Sequence, residues 1–471
     1  DATLRVPAGV FTVEVTRGLE YRPVRQTVEV APGASVALDV PLERIADLPA
    51  RGWWSGDMHV HMNYGGHYRL EAKDLALQMK AEDLHVVENL IVNKEQRIPD
   101  MALFTGALDP ASTADTLIYH SQEYHTSFWG HTGLLGLTRN VLLPGYAGYA
   151  NTAAASLHPM NTTIADLARA QGAIVGYVHP FDARPDFVKE PPPNPNAVPG
   201  FFAGDPVELP IDVALGKVDY YEAVSISDHL STSDVWHRLL NCGFRIPASA
   251  GTDAMANYAS LRGPVGMNRV FAKVEGPLEH GAFLAAIKAG RTMATNGPLV
   301  EVAVRAGGGA WTEPGGEIAL PAGKHRLEAR VSLRSIVPVD KLEVVVNGRV
   351  AATVPLAGDR TKADAVVPVP IDRSGWVILR AYASRSRHPI LDLYPFGTTS
   401  PVYLEVGGAP ARSPEDARYF LEWIDRVAAS AAANNDYNTK AEKAAIAATI
   451  AEARAVWAKL ADQVAFANSP D

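Results

Sequence analysis

Residues 55–61 have the sequence SGDMHVH, which places His59 and His61 two positions apart. In a β-strand, side chains at this spacing point to the same face, so both imidazoles would reach one side of a sheet. The turn-forming stretch NYGG at residues 63–66 predicts that the strand ends in a loop. Two imidazoles at a strand end can bind one metal ion. Surface or packed histidines without a ligand role give the same pattern, so it needs further support.

The composition predicts an ordinary soluble globular protein of several domains. The chain has 471 residues, 47% of them hydrophobic and 20% charged, with a formal net charge of −9. A chain of this length is too long to fold around a single hydrophobic core, so we expect about two to four domains. The acidic balance disfavours a nucleic-acid partner, and no apolar stretch is long enough to predict a membrane span. The single cysteine, Cys242, excludes a disulfide or a Cys-rich zinc site within this chain, and its apolar neighbours favour an inert buried thiol.

Four parts of the chain differ in pattern, and we place them at residues 1–48, 49–297, 298–408 and 409–471. The first has three short strand patterns, the last of them at residues 35–40, and predicts a small, incomplete β-domain. The second alternates strands and helices, which indicates a parallel sheet, either open or closed as a barrel. The third alternates with period two and predicts an antiparallel β-sandwich. The fourth predicts an αα-hairpin packed on the body, with a dimerisation element as the alternative.

Residues of metal-ligand type recur where predicted strands of the second part end. Glu123 and His131 follow one such strand, His179 ends another, and Asp253 follows a third. In parallel α/β folds these carboxyl ends meet at one rim, where function is concentrated. A carboxylate can bridge two metal ions, so Glu123 is the candidate bridge and His131 a ligand of one of them.

Each residue also has a plain structural interpretation. Glu123 could be a solvated loop acid, His131 a surface turn residue, and Asp253 a helix N-cap. The recurrence of ligand-type residues at successive strand ends favours a shared site over these separate explanations.

These residues, in this order, resemble the motifs of the PHP (polymerase and histidinol phosphatase) superfamily of metallohydrolases. The resemblance covers about residues 50–400 and depends on DMHVH at 57–61, Glu123 followed by Gly130-His131, HP at 179–180 and GTD at 251–253. Residues 236–245 and 295–298 extend it to the carbaryl-hydrolase-like branch. The resemblance implies the α/β class, with a distorted (β/α)7 barrel that carries a metal cluster at its carboxyl rim.

The resemblance also implies two groups of metal ligands. The first is His59, His61, Glu123 and Asp253, and the second is Glu123, His131 and His179. Trinuclear members of the superfamily use three further histidines, of which only His67 is present here. Asn89 and Met255 stand at the other two positions. We therefore expect two divalent ions (zinc, manganese or iron), with His67 free to act in catalysis by orienting substrate or moving a proton.

This ligand set predicts metal-assisted hydrolysis, in which a metal-bridging hydroxide attacks an ester, carbamate or amide bond of a small-molecule substrate. A phosphoesterase is the first alternative, and a non-enzymatic binding module with a structural metal is the second. An apolar pocket for an aryl group could be lined by Tyr68, Tyr177 and His229, together with Tyr64, Phe181 and Trp236. A phosphate could be held by Arg69, Arg97 or Arg262. For each of these residues a surface or packing role remains open.

The ends of the chain carry two further expectations. The sequence has no starting methionine and no signal peptide, which suggests a processed or trimmed N-terminus. An exported location, periplasmic or secreted, is compatible with the β-rich parts and the single cysteine. The protein could also form a homo-oligomer.

Overall fold

The structure is a computed structural model that describes residues 3–65, 67–92, 98–142, 145–181, 205–259 and 262–462. It is a mixed α/β protein with one large sheet and few helices. The strands are β1 Gly9–Val15, β2 Val24–Val30, β3 Trp53–His61, β4 Val86–Val92, β5 Leu117–Tyr124, β6 Thr132–Leu135, β7 Ile174–Tyr177, β8 Tyr220–Val224, β9 Ala248–Ala250, β10 Ala254–Met255, β11 Arg269–Lys273, β12 Thr292–Thr295, β13 Leu299–Ala306, β14 Glu317–Leu320, β15 His325–Arg334, β16 Lys341–Val346, β17 Arg349–Thr353, β18 Lys362–Ile371, β19 Gly375–Tyr382, β20 Phe396–Thr399 and β21 Val402–Val406. The α-helices are α1 Ala72–Ala81, α2 Asn161–Arg169, α3 Leu209–Ala214, α4 His229–Asn241, α5 His280–Lys288, α6 Pro414–Ala433 and α7 Lys440–Ala461, and short 3-10 helices lie at Pro49–Arg51 and Ile98–Leu103.

The large sheet brings the ends of several strands to one rim. Its central order is β11-β3-β4-β5-β6-β7-β8-β9, in which β3, β4 and β5 are parallel and β7, β8 and β9 are parallel. β6 runs antiparallel between β5 and β7. After β9 the chain returns to the start of this series, because β10 pairs in parallel with the end of β3, with Met255 opposite His61. The sheet is therefore curled, and the carboxyl ends of β3 and β9 lie side by side.

The strands around this rim are buried. Every residue of β4 and β5 is buried. The helix α1 covers one face, where Leu75 and Met79 pack in one apolar cluster with Val60 and Val87. Because parallel strands covered on both faces are normally continuous apolar runs, polar residues inside them indicate internal hydrogen bonding or function.

The N-terminal part differs from the prediction. β1 and β2 form an antiparallel ribbon, but the third strand predicted at residues 35–40 does not form. Alternation alone does not make a strand, since a neighbouring edge must supply the hydrogen bonds. This part is tied to the main body by ion pairs, in which Arg17 and Arg44 both contact Asp83, at 2.9 Å and 3.0 Å.

The β-rich region after residue 297 is joined to the large sheet. β12 pairs with β20, and β20 pairs with β19, so the sheet that contains β3 continues into this region. The antiparallel sheet β13-β15-β18 forms a second layer, and Val302 and Val331 from it share an apolar cluster with Val344 and Leu379 from the large sheet. The periodicity of the sequence predicts strands here, but it does not show which edges pair.

The C-terminal helices α6 and α7 form a hairpin that packs on the body. The hydroxyl of Ser413 caps α6 by accepting the N–H of Asp416. Two buried indoles attach the hairpin to the segment around α3, because Trp423 donates to the carbonyl of Val207 and Trp457 to that of Pro210. Within the described ranges, no helix has both the length and the apolar character needed to cross a membrane.

A buried pair of acids lies between α2, α3 and β7. The carboxylate of Glu208 accepts the backbone N–H groups of Asn161 and Thr162, at 2.7 Å and 2.9 Å, at the start of α2. The carboxylate of Asp212 accepts the hydroxyl of Tyr177 at 2.7 Å. Burial raises the pKa of Asp212 to about 7 and the pKa of Glu208 well above its usual range.

The raised pKa of Asp212 predicts a measurable loss of stability with rising pH. The folded state holds a proton on Asp212 that the unfolded chain releases near pH 4. The stabilisation that this proton gives the folded state is therefore complete below about pH 4, and it is lost as the pH rises through about 7. Asp212→Asn keeps an acceptor for Tyr177 and should reduce the fall in Tm between pH 5 and pH 8. Asp372→Asn, at an exposed position in the β-rich region, is the control and should follow the wild type. Parallel curves for Asp212→Asn and the wild type would show that Asp212 does not titrate in this range.

Candidate metal centre

The two histidines of the opening stretch lie at the end of β3. His59 and His61 are buried, and their Nε2 atoms are 3.2 Å apart. Nδ1 of His61 donates to the carbonyl of Leu90 at 2.8 Å, and Nδ1 of His59 lies 3.4 Å from Oε1 of Glu222. These partners on the Nδ1 side leave the Nε2 atoms to face each other, which is the usual arrangement of metal-binding histidines.

Two carboxylates complete a first ligand group around these imidazoles. Oε2 of Glu123, on β5, lies 3.1 Å from Nε2 of His61 and 3.3 Å from Nε2 of His59. Oδ1 of Asp253, after β9, lies 2.9 Å from Nε2 of His61. The four ligand atoms of this first group all lie within 4.8 Å of one another. The set of two nitrogens and two oxygens suits zinc and similar divalent ions.

The other oxygen of Glu123 faces a second ligand group. Oε1 of Glu123 lies 3.1 Å from Nδ1 of His131 and 3.1 Å from Nε2 of His179. Those two nitrogens are 3.4 Å apart. The structure therefore brings together all six residues that the sequence suggested as ligands. Glu123 presents one oxygen to each group, as a carboxylate that bridges two ions would.

One buried atom tests whether these residues fit metal ions. Among the described residues, Oδ1 of Asp253 is buried and accepts no hydrogen bond, although His61 is close to it. A buried oxygen without a hydrogen bond is unfavourable unless a cation faces it. Ligands that point at a common ion have this geometry, because their lone pairs are directed at the ion and not at each other.

The electrostatics of the first ligand group favour the charged forms of its two histidines and two carboxylates. Burial alone would lower the pKa of His59, but the charges of Asp253, Glu123 and Glu222 hold it well above its usual value. Burial alone would raise the pKa of Glu123, but the neighbouring imidazoles His125 and His59 hold it well below its usual range. The carboxylates thus require positive charge, which protons on the histidines or metal ions can supply. The two compete, so acid pH opposes metal binding.

Two of the ligands occupy a backbone conformation that is rare outside glycine. φ is +29° at His179 and +54° at Asp253. The N–H of His179 donates to Glu222 at 2.8 Å, and the N–H of Asp253 donates to the carbonyl of His59 at 2.7 Å. Gly251 is required nearby, since a Cβ there would lie 2.3 Å from Cβ of His59. Backbone hydrogen bonds therefore hold the ligands in place before any ion binds.

Asp57, two residues before His59, fastens the loop that carries Asp253. Its carboxylate accepts the N–H and the hydroxyl of Thr252, at 3.0 Å and 2.6 Å, and the N–H of Gly266 at 2.8 Å. Burial raises the pKa of Asp57 to about 6, while these hydrogen bonds act in the opposite direction. The first acid of the DMHVH stretch is thus a structural clamp.

Sequence reasoning missed two residues of the site. Nε2 of His125 lies 2.7 Å from Oε2 of Glu123, and its ring stacks on that of His131 with centroids 3.6 Å apart. Glu222 contacts both His59 and His179. A signal existed for each. His125 stands two residues after Glu123, the same spacing as in the histidine pair, and Glu222 is an acid inside an apolar strand.

The residues predicted to contact substrate fall in different places. His67 and Tyr68 are exposed on the loop after β3. Tyr177 is buried with its hydroxyl on Asp212, and His229 is buried 3.1 Å from the carboxylate of Asp392. The last two placements do not support the expected contact with substrate.

Of the remaining rim candidates, some contact the metal-ligand residues and others contact different parts of the protein. Tyr64 packs against His61 with ring centroids 5.1 Å apart, and Arg262 forms an ion pair with Asp253. Phe181 packs near Trp423, Trp236 donates to the carbonyl of Ile246, and Arg69 donates to that of Gly65. Arg97 lies outside the described residues.

The positions where a third metal would need histidines have other roles. Oδ1 of Asn89 accepts the N–H of Met62 at 2.8 Å, and its amide nitrogen lies 3.0 Å from Nδ1 of His120 and donates to Asp100. Met255 is buried in β10. A neutral amide used in backbone hydrogen bonding and a thioether are poor ligands for divalent zinc, manganese or iron.

Elemental analysis should therefore find about two divalent metal ions per chain, since Asn89 and Met255 cannot complete a third site. The protein should be purified without chelators and measured with protein concentration determined independently. Three tightly held ions per chain would contradict this prediction.

Glu222 should support metal binding without being a ligand. Glu222→Gln keeps an acceptor for the N–H of His179 but removes the charge beside His59, so metal affinity should fall about 10–100-fold. Competition with a chelator measures this affinity, and Glu275→Gln, at an exposed position, is the control. If affinity stays at the wild-type value, Glu222 supports the backbone alone.

Comparisons with known proteins give few matches. No family model matches the chain, and no curated protein sequence matches it. Among solved structures, it is similar to a two-domain protein containing a predicted PHP-like metal-dependent phosphoesterase from Bacteroides vulgatus ATCC 8482. The identity is 13%, the TM-score is 0.36, and the match covers 74% of this chain and 95% of that one.

The chain is also similar to Endonuclease Q, solved in complex with a 27-mer duplex substrate that has an abasic lesion at the active site. Here the identity is 16% and the TM-score 0.30, over 50% of this chain and 56% of that one. At these TM-scores the case for a metal site depends on the geometry of the chain's own residues.

Proposed function

We propose that this protein is a metal-dependent hydrolase with a dinuclear centre. The observation that supports the proposal is the placement of Glu123, whose two oxygens face two buried ligand groups at the rim of one sheet. Two divalent cations bound there would lower the pKa of a water molecule between them and polarise the bond to be cleaved. Zinc, manganese and iron all suit the histidine and carboxylate ligands.

Neighbouring side chains and backbone groups of this protein would hold the metal ligands in a fixed orientation. Hydrogen bonding to Leu90 orients His61, and the carboxylate of Glu222 lies beside His59. His125 contacts the Glu123 oxygen of the first ligand group. Fixed ligands keep donors and charges directed at the place where negative charge develops in the transition state. His67, on the exposed loop after β3, is the candidate that would orient substrate or move a proton.

We favour an ester, carbamate or amide as the bond that is cleaved. Such a substrate enters neutral and develops one oxyanion, which two cations can stabilise. Tyr64 and Tyr68 lie on the loop after the ligand-bearing end of β3, which suits an aryl group. A phosphoester is the second candidate, because the guanidinium of Arg262 pairs with Asp253 at the centre itself. The DNA duplex bound by Endonuclease Q adds a nucleic-acid phosphodiester to the substrates that need testing.

A substrate panel tests the reaction class. We expect kcat/KM for an aryl ester or anilide to exceed that for a matched aryl phosphate by at least tenfold, about 1.4 kcal/mol in the transition state. Asp253→Asn, which tolerates the positive φ of this position, should lower turnover by about a hundredfold or more with little change in Tm. Asp115→Asn, at an exposed position, is the matched control and should retain full activity.

Other results of the panel would select an alternative. A tenfold preference for aryl phosphate, or cleavage of a DNA duplex, would make the protein a phosphoesterase. If no substrate is turned over and chelation unfolds the protein, the metal is structural and the protein is a binding module.

A further inference from the structure

A chain of hydrogen bonds between buried side chains ends at the backbone next to the ligand His61. It begins at Asp109, whose carboxylate lies 2.9 Å from Nε2 of His120. Nδ1 of His120 lies 3.0 Å from the amide nitrogen of Asn89, and Oδ1 of Asn89 accepts the N–H of Met62 at 2.8 Å. Neither Asp109 nor His120 belongs to a ligand group, so the chain joins the metal centre to residues outside it.

The side chains of this chain are buried and fully paired. Asn89 is 0% exposed, His120 1% and Asp109 9%. The amide nitrogen of Asn89 also donates to Oδ2 of Asp100 at 3.3 Å, and Oδ1 of Asp109 accepts the N–H of Ala111 at 2.7 Å. Every polar side-chain atom of the three residues therefore has a partner. A buried network that is satisfied throughout is rigid, and the loss of one member leaves its neighbours unpaired.

Donor and acceptor roles follow from one end of the chain to the other. A carboxylate only accepts, so Nε2 of His120 carries the hydrogen and donates to Asp109. The neutral imidazole then has its lone pair on Nδ1, which accepts from the amide nitrogen of Asn89. Because that nitrogen faces two acceptors, His120 and Asp100, the amide must present its oxygen to Met62. The carboxylate of Asp109 thus helps to fix the orientation of an amide that it does not touch.

Two adjacent residues of β4 hold His61. The carbonyl of Leu90 accepts the Nδ1–H of His61 at 2.8 Å, and the side chain of Asn89 accepts the N–H of Met62, which belongs to the peptide after His61. The first contact orients the imidazole, and the second fixes the peptide plane that follows it. A metal ligand has to be held within about 0.5 Å of its productive position. A displaced Asn89 would therefore move Nε2 of His61 within the first ligand group.

We propose that Asp109 and His120 are positioning residues that set the metal affinity of the first ligand group through Asn89 and His61. This inference rests on the proposed function and deepens it by assigning a role to two residues outside both ligand groups. The second ligand group does not contain His61, so its metal affinity should be independent of this chain. A purely structural role would instead lower the stability of the fold without distinguishing between the two groups.

Hydrogen exchange at the amide of Met62, in the metal-free protein, tests the chain without any metal. Asp109→Asn should disturb it, because one amide oxygen cannot accept from both Ala111 and His120, and the amide nitrogen must face one of them. We expect the amide of Met62 to exchange about tenfold faster in this variant than in the wild type. The matched control is Asp416→Asn, at a buried aspartate of α6, which should leave this rate unchanged.

Competition between the protein and a chelator for Zn²⁺ tests the link to the metal centre. Asp253→Asn identifies which of the two binding constants belongs to the first ligand group, because Asp253 is a member of that group alone. We expect Asp109→Asn and His120→Phe to weaken this constant about tenfold and to leave the other within about twofold. The control for the second variant is His237→Phe, at a buried histidine outside the chain, and both constants should stay at the wild-type values.

The two measurements together decide between positioning and a purely structural role. Unchanged exchange at Met62 in Asp109→Asn would overturn the proposal, and so would faster exchange with unchanged metal constants. Equal weakening of both constants would assign the chain to the stability of the fold. If His120→Phe does not fold, the nearly isosteric Asp109→Asn decides alone. A wild type that binds no Zn²⁺ would refute the proposed function, whereas faster exchange in Asp109→Asn would still show that the chain fixes the backbone beside His61.

Discussion

Burying the carboxylate of Glu123 is unfavourable unless positive charge faces both of its oxygens. The imidazoles of four ligand residues approach it within 3.3 Å, and they arrive from separate elements of the fold. His59 and His61 come from the end of β3, His131 from the turn before β6, and His179 from the end of β7. The curled sheet can close around Glu123 only because these groups compensate its charge, so the chemistry of the site and the architecture of the rim depend on the same contact.

The return of the chain from β9 to β3 is the second constraint. Asp253 reaches the histidines because its own N–H bonds to the carbonyl of His59 and because Asp57 holds Thr252. Gly251 allows the close approach of the two strands. These contacts join segments that are far apart in the sequence, and together they position one ligand oxygen. Backbone strain at Asp253 is thus stabilised by a network in which every partner is buried.

The parts of this picture that sequence could predict are those governed by local pattern. Strand ends, ligand types and the C-terminal αα-hairpin follow from periodicity and from the residues at the ends of apolar runs. The pairing of β12 with β20 could not be predicted, because two edges far apart in sequence carry no mutual signal. Tyr177 shows a different limit. Its position at the end of an apolar strand suggests the rim of the site, but its side chain is buried and its hydroxyl donates to Asp212 in the core.

Asn89 shows how a position can serve the site without binding metal. The resemblance implied an imidazole at this place, and the amide instead bonds to the N–H of Met62 and to Asp100. Asp100 in turn accepts from Asn63, whose side chain also accepts the N–H of Leu70 and donates to its carbonyl. The loop that carries His67 and Tyr68 is therefore fixed at both of its ends by a buried hydrogen-bond network. A loop held in this way would lose little conformational entropy on binding a ligand, which is a physical advantage for the role that we propose for His67 and Tyr68.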